Sequence, residues 1–100
     1  MAPQIQLPRD ALTEFCRRWK VRELALFGSV LREDFGPQSD IDFLVRFQPD
    51  APWDLWDLTR MREELASIAG RPADLVEQEA LRNPYRKREI LATREVIYAA

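Results

Sequence analysis

Histidine is absent from this 100-residue chain, and cysteine occurs only once, at Cys16. Without histidine the protein cannot build a Ser-His-Asp triad, use an imidazole as general acid or base, or bind zinc through histidine ligands. A single cysteine allows no disulfide within the chain. Cys16 lies in an apolar stripe with Leu12, Phe15 and Trp19, and this pattern predicts a buried, unreactive thiol.

Long hydrophobic runs and an excess of one charge are also missing. No apolar run approaches the ~18 residues of a membrane-spanning helix and no signal peptide is recognisable, so we expect a cytoplasmic protein without membrane contact. The formal net charge of -2 disfavours direct nucleic-acid binding, because domains with that role are usually strongly basic. With 46% hydrophobic residues, one core and a single domain over residues 1–100 are expected.

The apolar pattern predicts helices and strands in the order αβαβαβα. The predicted elements are a helix from Pro8 to about Trp19, a strand from Val21 to Phe27, a short helix from Ser29 to about Phe35 that ends at Gly36-Pro37, a strand from Asp40 to Phe47, a helix capped by Asp54 and ended by Gly70, a strand from Ala73 to Glu77, and a final helix from Asn83 that carries Ile90, Leu91, Val96 and Ile97. This order indicates an α/β fold with a small three-stranded mixed sheet, covered mainly on one face by helices.

Asp40 and Asp42 form an acidic pair at the start of the second predicted strand. Residues two apart in a strand point to the same face, with Cα atoms ~6.5 Å apart. Both carboxylates can therefore converge on hard cations ~3.5–4 Å apart, as in two-metal phosphoryl transfer. The pair alone is weak evidence for a metal site, since an Asp-x-Asp is expected ~0.6 times by chance in this composition. For an isolated pair, a solvated edge or an N-cap is the favoured explanation.

Gly28-Ser29 follows the first predicted strand directly. A glycine between a strand and a helix lets backbone N–H groups approach a phosphate, and the Ser29 side chain can cap the helix or donate to a phosphate oxygen. An ordinary strand–turn–helix with a serine cap would look the same. Finding this turn together with the acidic pair at one fixed offset is much rarer, about one in a thousand by chance.

The string from Phe27 to Arg32, followed by Ser39 to Val45, resembles the minimal nucleotidyltransferases of the polymerase-beta-like superfamily. Proteins of that family are the antitoxin halves of pairs whose toxin is a HEPN-domain ribonuclease. The resemblance extends over nearly the whole chain, because Asp74 matches the third acidic position and the segment from Asn83 to Tyr98 resembles the last helix. One departure is Glu33, where relatives often carry glycine.

The resemblance implies a site for a nucleoside triphosphate and two Mg²⁺ ions. Asp40 and Asp42 would hold the metals, and Asp74 would complete the site and receive the proton of the attacking hydroxyl. ATP would be the substrate, bound through the residues Gly28, Ser29 and Arg32. For Arg32 the alternative is a solvated side chain or a pair with Asp34.

The function implied is transfer of AMP to a protein hydroxyl, a tyrosine of a HEPN-type toxin with which the chain would form a hetero-oligomer. Two alternatives remain open at this point. One is the same chemistry with a small-molecule acceptor, and the other is a catalytically idle antitoxin that neutralises its partner by occlusion. The intact turn and three acidic residues favour catalysis.

Two further groups of residues stand out in the sequence. A basic cluster consists of Arg82, Arg86, Lys87 and Arg88 at the start of the final helix. It indicates a solvated charged face or, less commonly, a partner surface. Trp53 and Trp56 are typical of core residues, or of a lid or contact surface.

Overall fold

The structure, a computed structural model, describes residues 7–32, 36 and 39–100. Its elements are α1 (Arg9–Arg18), β1 (Val21–Phe27), a 3-10 turn (Gly28–Leu31), β2 (Ile41–Phe47), α2 (Leu55–Ala69), β3 (Ala73–Glu77), a second 3-10 turn (Gln78–Ala80), α3 (Pro84–Thr93) and β4 (Glu95–Ala99). None of the helices in the described part of the chain is long and apolar enough to cross a membrane.

The strands form one mixed sheet in the order β3-β2-β1-β4. β1 pairs antiparallel with both β2 and β4, whereas β2 and β3 are parallel and α2 makes the crossover between them. The prediction of a small mixed α/β sheet is confirmed. The predicted strand count of three is wrong, because the described chain contains four strands.

The additional strand is β4, which the sequence pattern assigned to the final helix. Asn83 begins α3 as predicted, and its side chain accepts hydrogen bonds from the backbone N–H groups of Tyr85 and Arg86. The helix ends at Thr93 rather than continuing through Ile97. The segment after it is rich in β-branched and aromatic residues, which favour strands, and β1 offers an edge to which it pairs.

The short helix predicted from Ser29 to about Phe35 is also wrong in length. The structure has a 3-10 turn that buries Val30 and Leu31, and Arg32 after it is already extended, with φ -109° and ψ 158°. Glu33, Asp34, Phe35 and Pro37 lie outside the described residues, so the departure at Glu33, the pairing with Asp34 and the Gly36-Pro37 stop stay predictions.

The ends of α2 and the nearby tryptophans follow the sequence closely. Asp54 and Asp57 form a reciprocal capping box, and Gly70 ends the helix in the left-handed conformation. Trp53 packs edge-on against Trp19 with ring centroids 5.0 Å apart, and its indole N–H donates to the Trp19 carbonyl at 2.7 Å. Trp53 is therefore part of the packed structure, while Trp56 is 76% exposed.

The two faces of the sheet are covered unequally. α1 and α2 pack on one face over a core that contains Leu12, Phe15, Cys16, Val21, Leu24, Leu26, Val30, Leu31, Ile41, Phe43, Val45, Met61 and Leu65. The other face has a small cluster of Ala25, Phe27, Leu44 and Ile90, the last from α3. Coverage mainly on one face is confirmed.

Burial raises the pKa of the Cys16 thiol to about 12, which agrees with the prediction of an unreactive cysteine.

Candidate active site

Asp42 lies in the middle of the predicted acidic site, on the sheet face that α3 covers only partly. In β2, Ile41 and Phe43 point into the large core, so Asp42 between them points to the opposite face. Its partner on β1 is Phe27 and its partner on β3 is Asp74. The parallel register therefore places two carboxylates of neighbouring strands side by side.

The negative charges of Asp40 and Asp74 repel that of Asp42. Partial burial raises the pKa of Asp42, and the negative charges of Asp74 and Asp40 raise it further, while Arg32 and Arg86 oppose the shift. Asp40 and Asp74 thus both act electrostatically on Asp42. A carboxylate held in such surroundings is stabilised by a cation.

Gly28 lies close to this carboxylate. Its φ is +77°, a left-handed conformation that favours glycine, and a Cβ at this position would lie 2.6 Å from Oδ2 of Asp42. The sequence suggested a glycine that admits a phosphate. The structure adds that glycine is needed for the turn to lie against Asp42.

Ser29 lies inside the 3-10 turn and does not cap it. The residue at the cap position is Phe27, with no side-chain cap hydrogen bond, so the prediction of a Ser29 cap is wrong. The turn begins one residue earlier than the sequence pattern indicated, which moves Ser29 past the cap. Its hydroxyl instead donates to the backbone carbonyl of Asp40 in a long hydrogen bond of 3.4 Å and connects the turn to the start of β2.

Arg71, which the sequence analysis did not single out, supports the segment before Asp40. One of its guanidinium nitrogens, Nη1, donates to the carbonyls of Gly36 and Ser39 at 3.1 and 3.3 Å. The neighbouring Pro72 carbonyl accepts from the N–H of Ile41 at 3.0 Å. The link between α2 and β3 therefore holds the backbone on both sides of Asp40.

A cavity of about 640 Å³ opens beside Asp42. It is lined by Phe27, Gly28, Leu31, Arg32, Asp42, Arg86, Glu89, Ile90, Ala92, Thr93 and Arg94. Of the predicted site residues, Gly28, Arg32 and Asp42 line it, whereas Ser29, Asp40 and Asp74 are in the adjoining structure. Arg86 is the member of the predicted basic cluster that reaches the cavity wall.

Helical spacing on α3 is the sequence signal that was missed. Arg86, Glu89, Ile90 and Thr93 follow the i, i+3, i+4, i+7 pattern of one helix face, and all four line the cavity. Because two of these residues are charged, the pattern did not indicate a helix face that lines a cavity. Arg94 lines the cavity as well, and its guanidinium contacts Glu23 at 3.3 Å.

The carboxylates suit a hard cation shared with a phosphate ligand. Among the described residues, no three side chains of the Asp, Glu, Cys or His type converge closely enough to hold a metal ion by themselves. Magnesium is usually bound by one or two carboxylates together with phosphate oxygens and water. The Asp42–Asp74 pair, with its mutual repulsion, fits that mode of binding.

Comparison with known proteins agrees with this geometry. Residues 8–97 match a family model described as a nucleotidyltransferase domain. The protein adenylyltransferase MntA of Thermococcus cleftensis is 34% identical over 85 residues, which are 85% of this chain and 81% of the relative.

Solved structures with the same fold include two toxin–antitoxin structures. A toxin–antitoxin structure with AMP-PNP has a TM-score of 0.74 at 20% identity, over 94% of this chain and 75% of that one. The complex of tri-AMPylated Shewanella oneidensis HEPN toxin with MNT antitoxin has a TM-score of 0.65 at 18% identity, over 92% of this chain and 70% of that one. The acidic pair in the sheet, the glycine turn against it and the family match over residues 8–97 together establish that this chain belongs to the nucleotidyltransferase family.

Proposed function

We propose that this protein transfers AMP from ATP to a hydroxyl group of a partner protein, a tyrosine of a HEPN-type ribonuclease toxin, and acts as its antitoxin in the cytoplasm. The relative from Thermococcus cleftensis is named a protein adenylyltransferase. One structural neighbour of the same fold is bound to a toxin that carries three AMP groups. Both support a protein acceptor for this chain and a hetero-oligomer with it.

The observation that carries the proposal is the open cavity beside the Asp42–Asp74 pair. Its volume of about 640 Å³ lies within the range of small-molecule and cofactor sites, roughly 300–1,000 Å³. Its wall combines a carboxylate with arginines, which is the mixture that a metal-bound polyphosphate requires. A purely occluding antitoxin has no need of such a site.

The metal-binding role belongs to Asp40, Asp42 and Asp74, which would hold Mg²⁺ as two ions. Bound there, the metal supplies positive charge that offsets the triphosphate and the charge developing at the α-phosphorus. Gly28 leaves room for the turn beside Asp42, and the Ser29 hydroxyl connects that turn to the Asp40 backbone. These features position the turn against β2, where Asp42 lies.

The transfer step needs a proton acceptor, and we assign this role to Asp74. It is exposed at the edge strand β3, and Oδ1 of its carboxylate accepts the Leu75 N–H at 3.0 Å, which orients the group. The tyrosine oxygen forms a bond to the α-phosphorus, the bond from that phosphorus to the bridging oxygen breaks, and pyrophosphate leaves. The hydroxyl proton passes to Asp74.

The test mixes a substoichiometric amount of this protein with a candidate HEPN toxin, ATP and Mg²⁺. The proteins are separated under denaturing conditions, the toxin is refolded, and its mass and ribonuclease activity are measured. We expect an inactive toxin that carries one or more added AMP groups, and no transfer in excess EDTA. Phosphate charge and added bulk then keep RNA out of the toxin's groove.

Full recovery of ribonuclease activity with no added mass, despite neutralisation in the mixture, would reject transfer in favour of occlusion. Occlusion also requires stoichiometric amounts of antitoxin, since it acts by mass action. Transfer that continues undiminished in EDTA would contradict the metal-dependent site.

A further inference from the structure

Helix α3 contributes one wall of the cavity beside Asp42, and Arg86 is the charged lining residue near the start of the helix. Arg86 is exposed at the cavity, and among residues 7–32, 36 and 39–100 its guanidinium has no hydrogen-bond or salt-bridge partner. Its positive charge nevertheless acts on Asp42, because it opposes the increase in the pKa of that carboxyl group. The guanidinium is therefore near the acidic site without being held by it.

The other arginine on this wall is engaged elsewhere. Arg94 contacts the Glu23 carboxylate at 3.3 Å and donates to the Leu91 carbonyl at 2.6 Å, so it fastens α3 to the sheet. The backbone N–H groups at the start of α3 are also occupied, because those of Tyr85 and Arg86 donate to the Asn83 side chain. An anion in the cavity is therefore met by the Arg86 side chain and not by the helix terminus.

The chemistry of this side chain suits a phosphate chain. A guanidinium presents a planar fork of donors that binds phosphate oxygens in pairs and stays charged at every physiological pH. Glu89 lies about one turn further along the same helix face and repels anions. The polyanion is thus favoured at the Arg86 end of the cavity, close to Asp42, and disfavoured deeper along the helix.

We propose that Arg86, on the α3 wall of the cavity, binds the phosphate chain of the nucleoside triphosphate. The inference rests on the proposed function, since it assigns a further binding residue to the same site. It separates Arg86 from the rest of the basic cluster, because Arg82, Lys87 and Arg88 do not line the cavity. The contact acts on phosphate, so it is independent of the base.

The chain offers a matched control for this role. Arg88 is exposed, carries the same charge and lies two residues on, about 200° around the helix and away from the cavity. We would compare Arg86→Ala, Arg86→Lys and Arg88→Ala. Affinity would be measured by calorimetry for an ATP analogue with a non-cleavable α–β bridge, in Mg²⁺, and inorganic tripolyphosphate would serve as a competitor.

Arg86→Ala is expected to weaken binding of the ATP analogue by roughly ten- to a hundred-fold, the effect of losing a charge-assisted hydrogen bond. Tripolyphosphate should lose affinity by the same factor, because the contact involves phosphate alone. The affinity of Arg86→Lys should fall between those of wild type and Arg86→Ala. The affinity of Arg88→Ala should stay within about two-fold of wild type. The thermal midpoint without ligand should not change, since Arg86 is exposed.

Three results would overturn the inference. These are wild-type affinity in Arg86→Ala, equal losses in Arg86→Ala and Arg88→Ala, and loss of ATP-analogue affinity without loss of tripolyphosphate affinity. A wild-type protein that binds neither probe would overturn it together with the proposed function. A wild-type protein that binds triphosphate through Arg86 but modifies no partner would contradict only the proposed function.

Discussion

The face of the sheet under α1 and α2 is closed, and the face beside α3 is open, although alternate residues of the same strands form both. On the closed face, Phe43 and Leu26 are completely buried. On the open face, Asp42 is half-buried next to a cavity. The small apolar cluster there attaches α3 without filling that space.

The comparison shows how a short chain separates stability from chemistry. Because side chains of a strand alternate in direction, Ile41 and Phe43 anchor β2 in the core while Asp42 between them lines the cavity on the open face. The repulsion among the carboxylates destabilises the open face. The packing of the closed face has to offset that repulsion in the absence of a cation.

The largest effect on stability is expected from removing a buried side chain of the closed face. Leu65→Ala should lower the free energy of unfolding by about 2–5 kcal/mol, because Leu65 is fully buried and its neighbours cannot fill the cavity. Ile90→Ala on the open face should cost less, since its site borders the cavity and can relax. Urea unfolding measures both. Equal costs for the two variants would contradict the contrast between the faces.

Removing one charge from the open face should lower AMP transfer rather than stability. Asp42→Asn is expected to lower AMP transfer by about a hundred-fold or more, the scale of losing one preorganised electrostatic element. Without metal its thermal stability should stay equal to wild type or rise, because the repulsion from Asp74 and Asp40 is relieved. Transfer assays test the expected loss of activity, and thermal unfolding without metal tests the expected stability.

Asp50→Asn is the control for that variant. Asp50 is exposed beyond the opposite end of β2, where it pairs with Lys20 at 3.3 Å. We expect transfer by Asp50→Asn to match wild type. Wild-type transfer by Asp42→Asn would remove this carboxylate from the site.

Two glycines with nearly the same backbone conformation make the next comparison. Gly28 and Gly70 have φ of +77° and +72°, but a Cβ at Gly28 would meet Asp42 whereas one at Gly70 would meet nothing within 4 Å. Gly70→Ala should therefore cost only the strain of the left-handed conformation, about 1–2 kcal/mol, with transfer unchanged. Gly28→Ala should cost more and also reduce transfer at least about ten-fold, because Asp42 must move. Equal activities in the two variants would show that the close approach at Gly28 is unimportant.

The smallest effect concerns the contact between the two helices of the closed face. Arg18 of α1 donates to both carboxylate oxygens of Glu64 on α2, and this interaction lowers the pKa of Glu64. Because the folded-state pKa is lowered, the stabilisation is present above the ordinary pKa of a glutamate and is lost as pH falls through the lowered value.

Glu64→Gln tests that contact. We expect a loss of about 1 kcal/mol or less at pH 7, since Arg18 is half exposed and water screens the pair. The difference from wild type should shrink as the pH of the urea titration is lowered through the acid range. A difference that grows on acidification would contradict the assigned direction of the pKa shift.

Local sequence signals predicted those elements whose ends are set by neighbouring residues. Asp54 with Asp57 starts α2, and Gly70 stops it, through contacts within a few residues. Val21–Phe27 and Ala73–Glu77 were predicted at their observed bounds. The two errors fall where the outcome depends on distant partners or on turn geometry. β4 is a strand because the edge of β1 supplies its hydrogen bonds, and that edge is remote in sequence.

By itself, the sequence determined the α/β class, the acidic pair, the glycine turn and the resemblance to nucleotidyltransferases, because each depends on residue type and short spacing. Only the tertiary structure decided that Asp74 lies beside Asp42, that a side chain at Gly28 would meet the Asp42 carboxylate, and that Arg86 lines the cavity. The physical reason is that strand register and helix docking result from burial of the whole apolar surface at once. No local pattern specifies which distant side chains that burial brings together.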